Sequence, residues 1–374
     1  MLLSLLGRPV DLDLSQVSAA TAEGLERAWA QCAVPAGAVD PGDALRTRLL
    51  PPGTPREEVG PGDLVLPRLD ADVTYAVSQH LTRVAIDSGA GHLLMFHAAG
   101  LLEPGSGEVV GVLAPSGTGK TTFCEVLGDR FGYVTDETLA IDPSSGEVLP
   151  YPKPLSIVGG PTRSGKADHS PVELGLDPVT GRPRLAALVV AERVSSGNTL
   201  VPTLLAEAMA DAIPQTSSLF CLPDPLRALA RVLTLAGGPW KLRFSNQDHC
   251  AHLLASLATS SEEPPPWSHL PGIGDGDTTL VPVDNDGLGE RDRFVRAPWT
   301  DAVASEGHVI LLYGRRPVTL GGAGAAVWTA AEAPLTIHGI HGQVVRALGE
   351  NSRSWALVED AVETLVARGV LEVV

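Results

Sequence analysis

Apolar positions along this chain fall into short runs and helical repeats, separated by turns rich in Gly and Pro. In 20–32, Leu25, Ala28, Trp29 and Cys32 recur at helical spacing and predict one amphipathic helix. A second helix is predicted over 72–88, where Val73, Ala76, Val77, His80, Leu81, Val84 and Ala85 share one side. Between them, 35–67 is punctuated by Pro and Gly, which implies short strands between turns. Residues 91–102 (GHLLMFHAAGLL) are apolar and strand-like, and a turn at 104–107 folds them onto a second strand at 109–113. A helix is expected over 122–130, then a short strand ending FGYVTDE, a hairpin over 139–149 and an extended segment at 151–157. The run LAALVVAERV at 185–194 is the clearest buried strand. Helices are expected at 204–213, 225–237 and 247–260, with a strand at 240–244.

The pattern breaks at 260–286, where three consecutive prolines sit among glycines and aspartates without any helical period. This predicts a division into 1–260, a linker at 261–290, and a smaller unit at 291–374. In that last part, 309–313 and 318–320 form a hairpin pattern, and helices follow at 323–331, 335–348 and 355–368, the last stopped by Gly369. A hairpin and three helices in so short a span make a winged-helix-like α+β domain.

Charge removes several function classes. The formal net charge is −17, which makes nucleic acid and anionic membrane poor partners. From Arg291 onward there are eight Arg and no Lys against nine Asp plus Glu, so a DNA-reading winged helix lacks its basic face. The four cysteines form no CxxC pair, which argues against zinc and against a disulfide framework. The opening MLLSLLGRPVDLDL has too short an apolar run for a signal core, and no run reaches the length of a membrane span. A cytoplasmic location is expected.

The chemistry is concentrated after the strand at 109–113. Ala114, Pro115, Ser116, Gly117, Thr118, Gly119, Lys120 and Thr121 spell a phosphate-cradling loop, with Thr122 opening the helix and Ala114 standing where the strict motif has glycine. Glycines at 117 and 119 let backbone N–H groups turn inward, and the helix start favours an anion. Lys120 is then placed to reach the β- and γ-phosphates of ATP, and Thr121 to place its hydroxyl on Mg²⁺. Phosphoryl transfer to a hydroxyl further needs a carboxylate for the metal and a proton acceptor. Asp136 and Glu137 end the next strand, where carboxyl ends of strands converge on a ligand crevice, and at a strand end both can reach the metal–phosphate region. Lys153 is open between neutralising phosphate charge and lying solvated, and His97 between a site residue and a core histidine.

The order HAAG, APSGTGKTT, FGYVTDE and YPKPLS over about 92–157 resembles HPr serine kinase/phosphorylase and its shorter relatives. Their nucleotide domain is similar to that of phosphoenolpyruvate carboxykinases. The resemblance implies an α/β phosphate-loop domain using ATP and Mg²⁺, with His97 near the nucleotide, Asp136 as the base, and Thr121, Asp136 and Glu137 around the metal. The kinases themselves carry two aspartates at 136–137, and the longer signature that follows their acidic pair is absent here. HPr is therefore not the expected substrate. Members of that family often form oligomers, which leaves a homo-oligomer open here. The last 80 or so residues, with RFVRAP, LGGAGAAVWTAAEAPLTIHGI and LVARGVLEVV, resemble a PqqD-like peptide-recognition domain. That likeness implies capture of a precursor-peptide leader as an added strand. Together the two resemblances imply a kinase acting on a Ser or Thr of such a peptide; a small-molecule kinase and an ATP-sensing regulator are the alternatives.

Overall fold

The computed structural model describes residues 1–35, 37–67, 73–158, 166–179, 181–274, 278–282, 289 and 291–374. It divides into two compact units: Met1–Thr203 with Asp211–Pro223 and Val232–Pro264, and Leu204–Ala210 with Asp224–Arg231 and Pro265–Val374. No helix among the described residues is long and apolar enough to cross a membrane.

The first unit opens with a four-stranded sheet of β1 (Leu2–Leu5), β2 (Arg8–Asp13), β3 (Leu45–Leu50) and β4 (Leu64–Val65), in that order. Helix α1 (Ala19–Ala28) lies between β2 and β3 in the chain, and α2 (Thr74–Gly89) follows β4. Both helices bury the residues their spacing indicated, Leu25, Trp29, Val77, Leu81 and Ala85, in a core shared with Met95 and Tyr151.

A nine-stranded mixed sheet carries the phosphate loop. In chain order its first strands are β5 (Leu94–Glu103) and β6 (Glu108–Leu113), an antiparallel pair. Helix α3 (Lys120–Leu127) leads to β7 (Gly132–Thr135), β8 (Thr138–Ile141) and β9 (Val148–Leu149). A separate hairpin of β10 (Leu155–Val158) and β11 (Lys166–His169) comes next, then β12 (Leu185–Arg193) and β13 (Asn198–Pro202). After α4 (Leu205–Ala212) come β14 (Thr216–Ser217), α5 (Pro225–Leu233), β15 (Trp240–Phe244) and α6 (Ala251–Ala258). The main path is β13-β15-β12-β6-β5-β8-β9, and β7 and β14 also pair with β5.

Parallel pairing in this sheet is confined to β6 with β12 and β12 with β15, and its other pairings are antiparallel. Because β5 is antiparallel to both β6 and β7, those two strands point the same way. Residues just past β7 therefore come up beside the loop that leaves β6.

Two glycines make the sheet's centre close-packed. Gly100 and Gly111 are cross-strand partners, and the Leu139 side chain lies over both. A Cβ at position 111 would meet Leu188 Cδ1 at 2.6 Å and Leu139 Cδ2 at 2.7 Å. Gly111→Ala is therefore expected to lower unfolding free energy by about 1–3 kcal/mol, read by urea denaturation. An unchanged midpoint would show that these leucines move aside freely. On one face α3 and α6 pack through Phe123, Leu127, Leu254 and Leu257. Phe123 meets Phe244 edge-on at 4.9 Å. Each fully buried side chain of this size contributes about 1.5–3 kcal/mol, which anchors the helix that starts at the loop.

The second unit begins inside the stretch expected as linker. There β16 (Ser268–Pro271) pairs with β18 (Asp301–Ser305), in a sheet with β19 (His308–Tyr313) and β20 (Arg316–Gly321). Backbone pairing along an existing strand edge orders a segment that has no apolar period of its own. Residues 159–165, together with 275–277, 283–288 and 290 of the expected linker, lie outside the described residues. Asp301, almost wholly buried, explains why 224–231 belongs with this unit: it accepts from Leu226 N at 2.7 Å and sits 2.8 Å from His269 Nε2. A smaller sheet joins β17 (Arg293–Arg296), β21 (Leu335–Thr336) and β22 (Leu371–Val373). Helices α7 (Gly322–Ala330), α8 (Ile337–Leu348) and α9 (Ser354–Ala367) follow the expected pattern, and Gly369 with φ of 72° ends the last. Trp328 and Trp299 sit edge-to-face at 5.1 Å in this unit's core.

Candidate active site

The loop between β6 and α3 takes the shape its glycines permit. Gly117 and Gly119 have φ of 82° and 107°, a region that residues with a Cβ rarely enter. At Gly119 a Cβ would also meet Gln247 Nε2 at 2.7 Å and Arg193 Nη2 at 3.2 Å, so two side chains brace the loop there. Arg193 also lies 3.3 Å from the carbonyl of Thr118 and stacks over Phe244.

Lys120 is buried, and its Nζ donates to the carbonyls of Ala114 at 2.6 Å and Pro115 at 3.2 Å. Its charge is thus stored against the loop's own backbone. Thr121 Oγ1 donates to Asp136 Oδ2 at 2.8 Å, which joins the loop hydroxyl to the strand-end carboxylate. The hydroxyl of Tyr133 lies 3.1 Å from Asp136 Oδ1 and 3.1 Å from the carbonyl of Lys153.

Lys153 resolves the question left open by the sequence. It is neither solvated nor free to face phosphate, being 1% exposed. Its Nζ is 3.2 Å from Asp136 Oδ1 and 3.0 Å from Glu137 Oε2, and it donates to the carbonyl of Pro154 at 2.8 Å. An ammonium has three protons, and all three have acceptors. Burial alone would depress this lysine, but the charges of Asp136 and Glu137 outweigh it and raise its pKa above the usual range. The two adjacent acids therefore do reach one point from a strand end.

His97 pairs across to Thr138 and lines the same cleft. Burial, followed by the charge of Lys120, lowers its pKa, so the ring is held neutral near pH 7. The cleft has a volume of about 740 Å³. Ser116, Gly117, Gly119, Lys120, Thr121 and Thr122 line it from the loop; Ala114, Pro115 and Thr118 line a second cavity of about 490 Å³ instead. Tyr75, Gln79, Ser156 and Ile157 also line it, as does Glu125 from α3. Of these five, only Ser156 falls in a motif the sequence singled out, the end of YPKPLS. Glu125 was legible only as the residue one helical turn beyond Thr121.

Hard oxygen donors at Thr121, Asp136 and Glu137 suit Mg²⁺. Among the described residues no three His, Cys, Asp or Glu are grouped to hold a metal alone.

Comparison with known proteins adds little at this distance. No family model matches the chain, and no curated protein matches it. Among solved structures, HPr(Ser) kinase/phosphatase from Coxiella burnetii aligns at 14% identity, over 44% of this chain and 92% of that one, with a TM-score of 0.25. The reading of function therefore rests on the cleft's own residues.

One pH dependence follows from Lys120. Burial lowers its pKa to about 8, against 10.5 when exposed, with Asp136 and Glu137 partly restoring it. Between these values the unfolded chain holds more protons than the folded one, so the penalty of the buried charge is full below pH 8 and fades above it. Phosphate binding needs the charged form. ATP affinity is expected to be flat below about pH 7 and to weaken by up to about tenfold per unit well above pH 8. Competition with a fluorescent nucleotide would read this; affinity constant to pH 10 would remove Lys120 from phosphate contact.

Proposed function

We propose that the cleft binds a nucleoside triphosphate with Mg²⁺ and transfers the γ-phosphoryl group to a hydroxyl. The observation that carries this reading is the Thr121–Asp136 hydrogen bond at 2.8 Å, set directly after a glycine loop ending in Lys120. A phosphate loop alone would support binding only. A loop hydroxyl tied to a strand-end carboxylate supplies the ligand geometry that phosphoryl transfer uses.

The backbone N–H groups of 116–121 cradle the phosphates, and Lys120 turns from the Ala114 and Pro115 carbonyls to the β- and γ-phosphates. Thr121 and Asp136, with Glu137 beside them, would hold the metal, which supplies charge neutralisation to the transferring group. Lys153 holds both acids in place, so their oxygens are aimed before substrate arrives. His97, neutral, can donate a hydrogen bond to phosphate without adding charge.

The acceptor we propose is a Ser or Thr of a ribosomally made precursor peptide whose leader binds the C-terminal unit. What supports this is the PqqD-like sequence pattern there, its near-neutral charge, and an apolar groove of about 640 Å³ lined by Val309, Ala325, Ala326, Ala330 and Leu348. Incubation of the full chain with ATP, Mg²⁺ and a precursor peptide encoded beside it should add one phosphate to that peptide, read by mass spectrometry. ATP consumption with no phosphate on any such peptide would discard the peptide acceptor and leave a small-molecule hydroxyl.

A further inference from the structure

We propose that Glu125 is the group that accepts the proton of the attacking hydroxyl. This rests on the phosphoryl-transfer reading of the cleft and names a residue that no motif assigns.

The resemblance implies Asp136 as the base, yet its carboxylate is heavily committed. Thr121 Oγ1 occupies Oδ2, while Tyr133 and Lys153 both crowd Oδ1 at 3.1 and 3.2 Å. The side chain is only 4% exposed, which leaves little room for an acceptor hydroxyl to approach. An oxygen already bound to a loop hydroxyl and aimed at the metal site is suited to holding charge. Glu137 is likewise tied down, 3.0 Å from Lys153 Nζ.

Glu125 differs on each count. It stands four residues after Thr121 on α3, so both side chains lie on the same helix face and line the same cleft. Its carboxylate has no hydrogen-bond or ion-pair partner among the described residues, while remaining partly buried. Burial and then the Asp136 charge raise its pKa, with His169 acting the other way, so it is more basic than an ordinary carboxylate. Tyr75, Gln79 and Ser156 line the same cleft. Glu125 and Thr121 thus present their side chains to one cleft, where a carboxylate on the loop's own helix can meet an acceptor hydroxyl bound beside the phosphates.

In the step itself, the acceptor oxygen forms a bond to the γ-phosphorus. The bond from that phosphorus to the β–γ bridging oxygen breaks, and its electron pair stays on the nucleoside diphosphate. The hydroxyl proton moves to the Glu125 carboxylate and from there to solvent once product leaves.

The test uses the full chain with Mg²⁺ and ATP, and water as the acceptor. Glu125→Gln is expected to lower the rate of phosphate release about 100-fold, with KM for ATP and the Mg²⁺ requirement unchanged and partial recovery in Glu125→Asp. Wild-type turnover in Glu125→Gln, or a loss that extra Mg²⁺ restores, would overturn the assignment. If wild type releases no phosphate, carbodiimide labelling decides: Glu125 should be modified in the free protein and protected by a non-hydrolysable ATP analogue with Mg²⁺. Absent or unprotected labelling would overturn it equally. Failure of the underlying reading looks different, because wild type and variant alike would then bind no ATP.

Discussion

Lys120→Ala is expected to lower turnover by at least about 10²–10³-fold while leaving the fold as stable as wild type or slightly more so. The two halves of that expectation have one cause. In the free protein the Lys120 ammonium is buried against the Ala114 and Pro115 carbonyls, at a cost visible in a pKa lowered to about 8. Removing it relieves that cost. Yet Lys153, the other lysine of the cleft, has every proton engaged by Asp136, Glu137 and Pro154, so it cannot substitute. Lys120→Met, which keeps most of the volume, should behave the same way. Urea unfolding beside steady-state turnover checks both halves, and retained turnover in a folded variant would take phosphate contact away from this lysine.

The second large effect is on stability. Lys153→Met is expected to cost about 3–5 kcal/mol, because Asp136 would stay buried with its charge no longer balanced. The pair is 1% and 4% exposed at the side chains, so water cannot make up the loss. Combining it with Asp136→Asn should recover much of the stability, since the double change removes both charges. A double-mutant cycle by chemical denaturation gives that coupling. A single-variant loss below about 1 kcal/mol would mean that the acids relax toward solvent and that Lys153 is not what holds them.

These expectations separate what the sequence could reveal from what it could not. The phosphate loop was legible because its signal is local: glycines needing positive φ, a lysine and a hydroxyl, all within eight residues of a buried strand. Asp136 and Glu137 were legible from their place at a strand end. The role of Lys153 was not, since it depends on how a proline-stiffened segment returns over β7, a contact that no spacing encodes. The hydroxyl of Tyr133 matters only because Asp136 and the Lys153 carbonyl meet there, which no local pattern shows.

Fold-level misses have the same origin. Strands β1 and β2 of the first sheet were unread although Val10 and Leu12 alternate with Pro9, Asp11 and Asp13, because two short strands carry little periodicity. Strand β16 was taken for linker because its order comes from the edge of β18 and not from its own residues. By contrast the long periodic elements, α2, β12 and α9, stand where their apolar spacing placed them.

The most direct test is a crystal structure of the full chain with Mg²⁺ and a non-hydrolysable ATP analogue. Lys120 Nζ should have left the Ala114 carbonyl for the β- and γ-phosphates at about 3 Å, with the metal beside Thr121 and Asp136. A nucleotide seated outside the 114–122 loop, or bound there with Lys120 still turned back on its own backbone, would contradict phosphoryl transfer at this site.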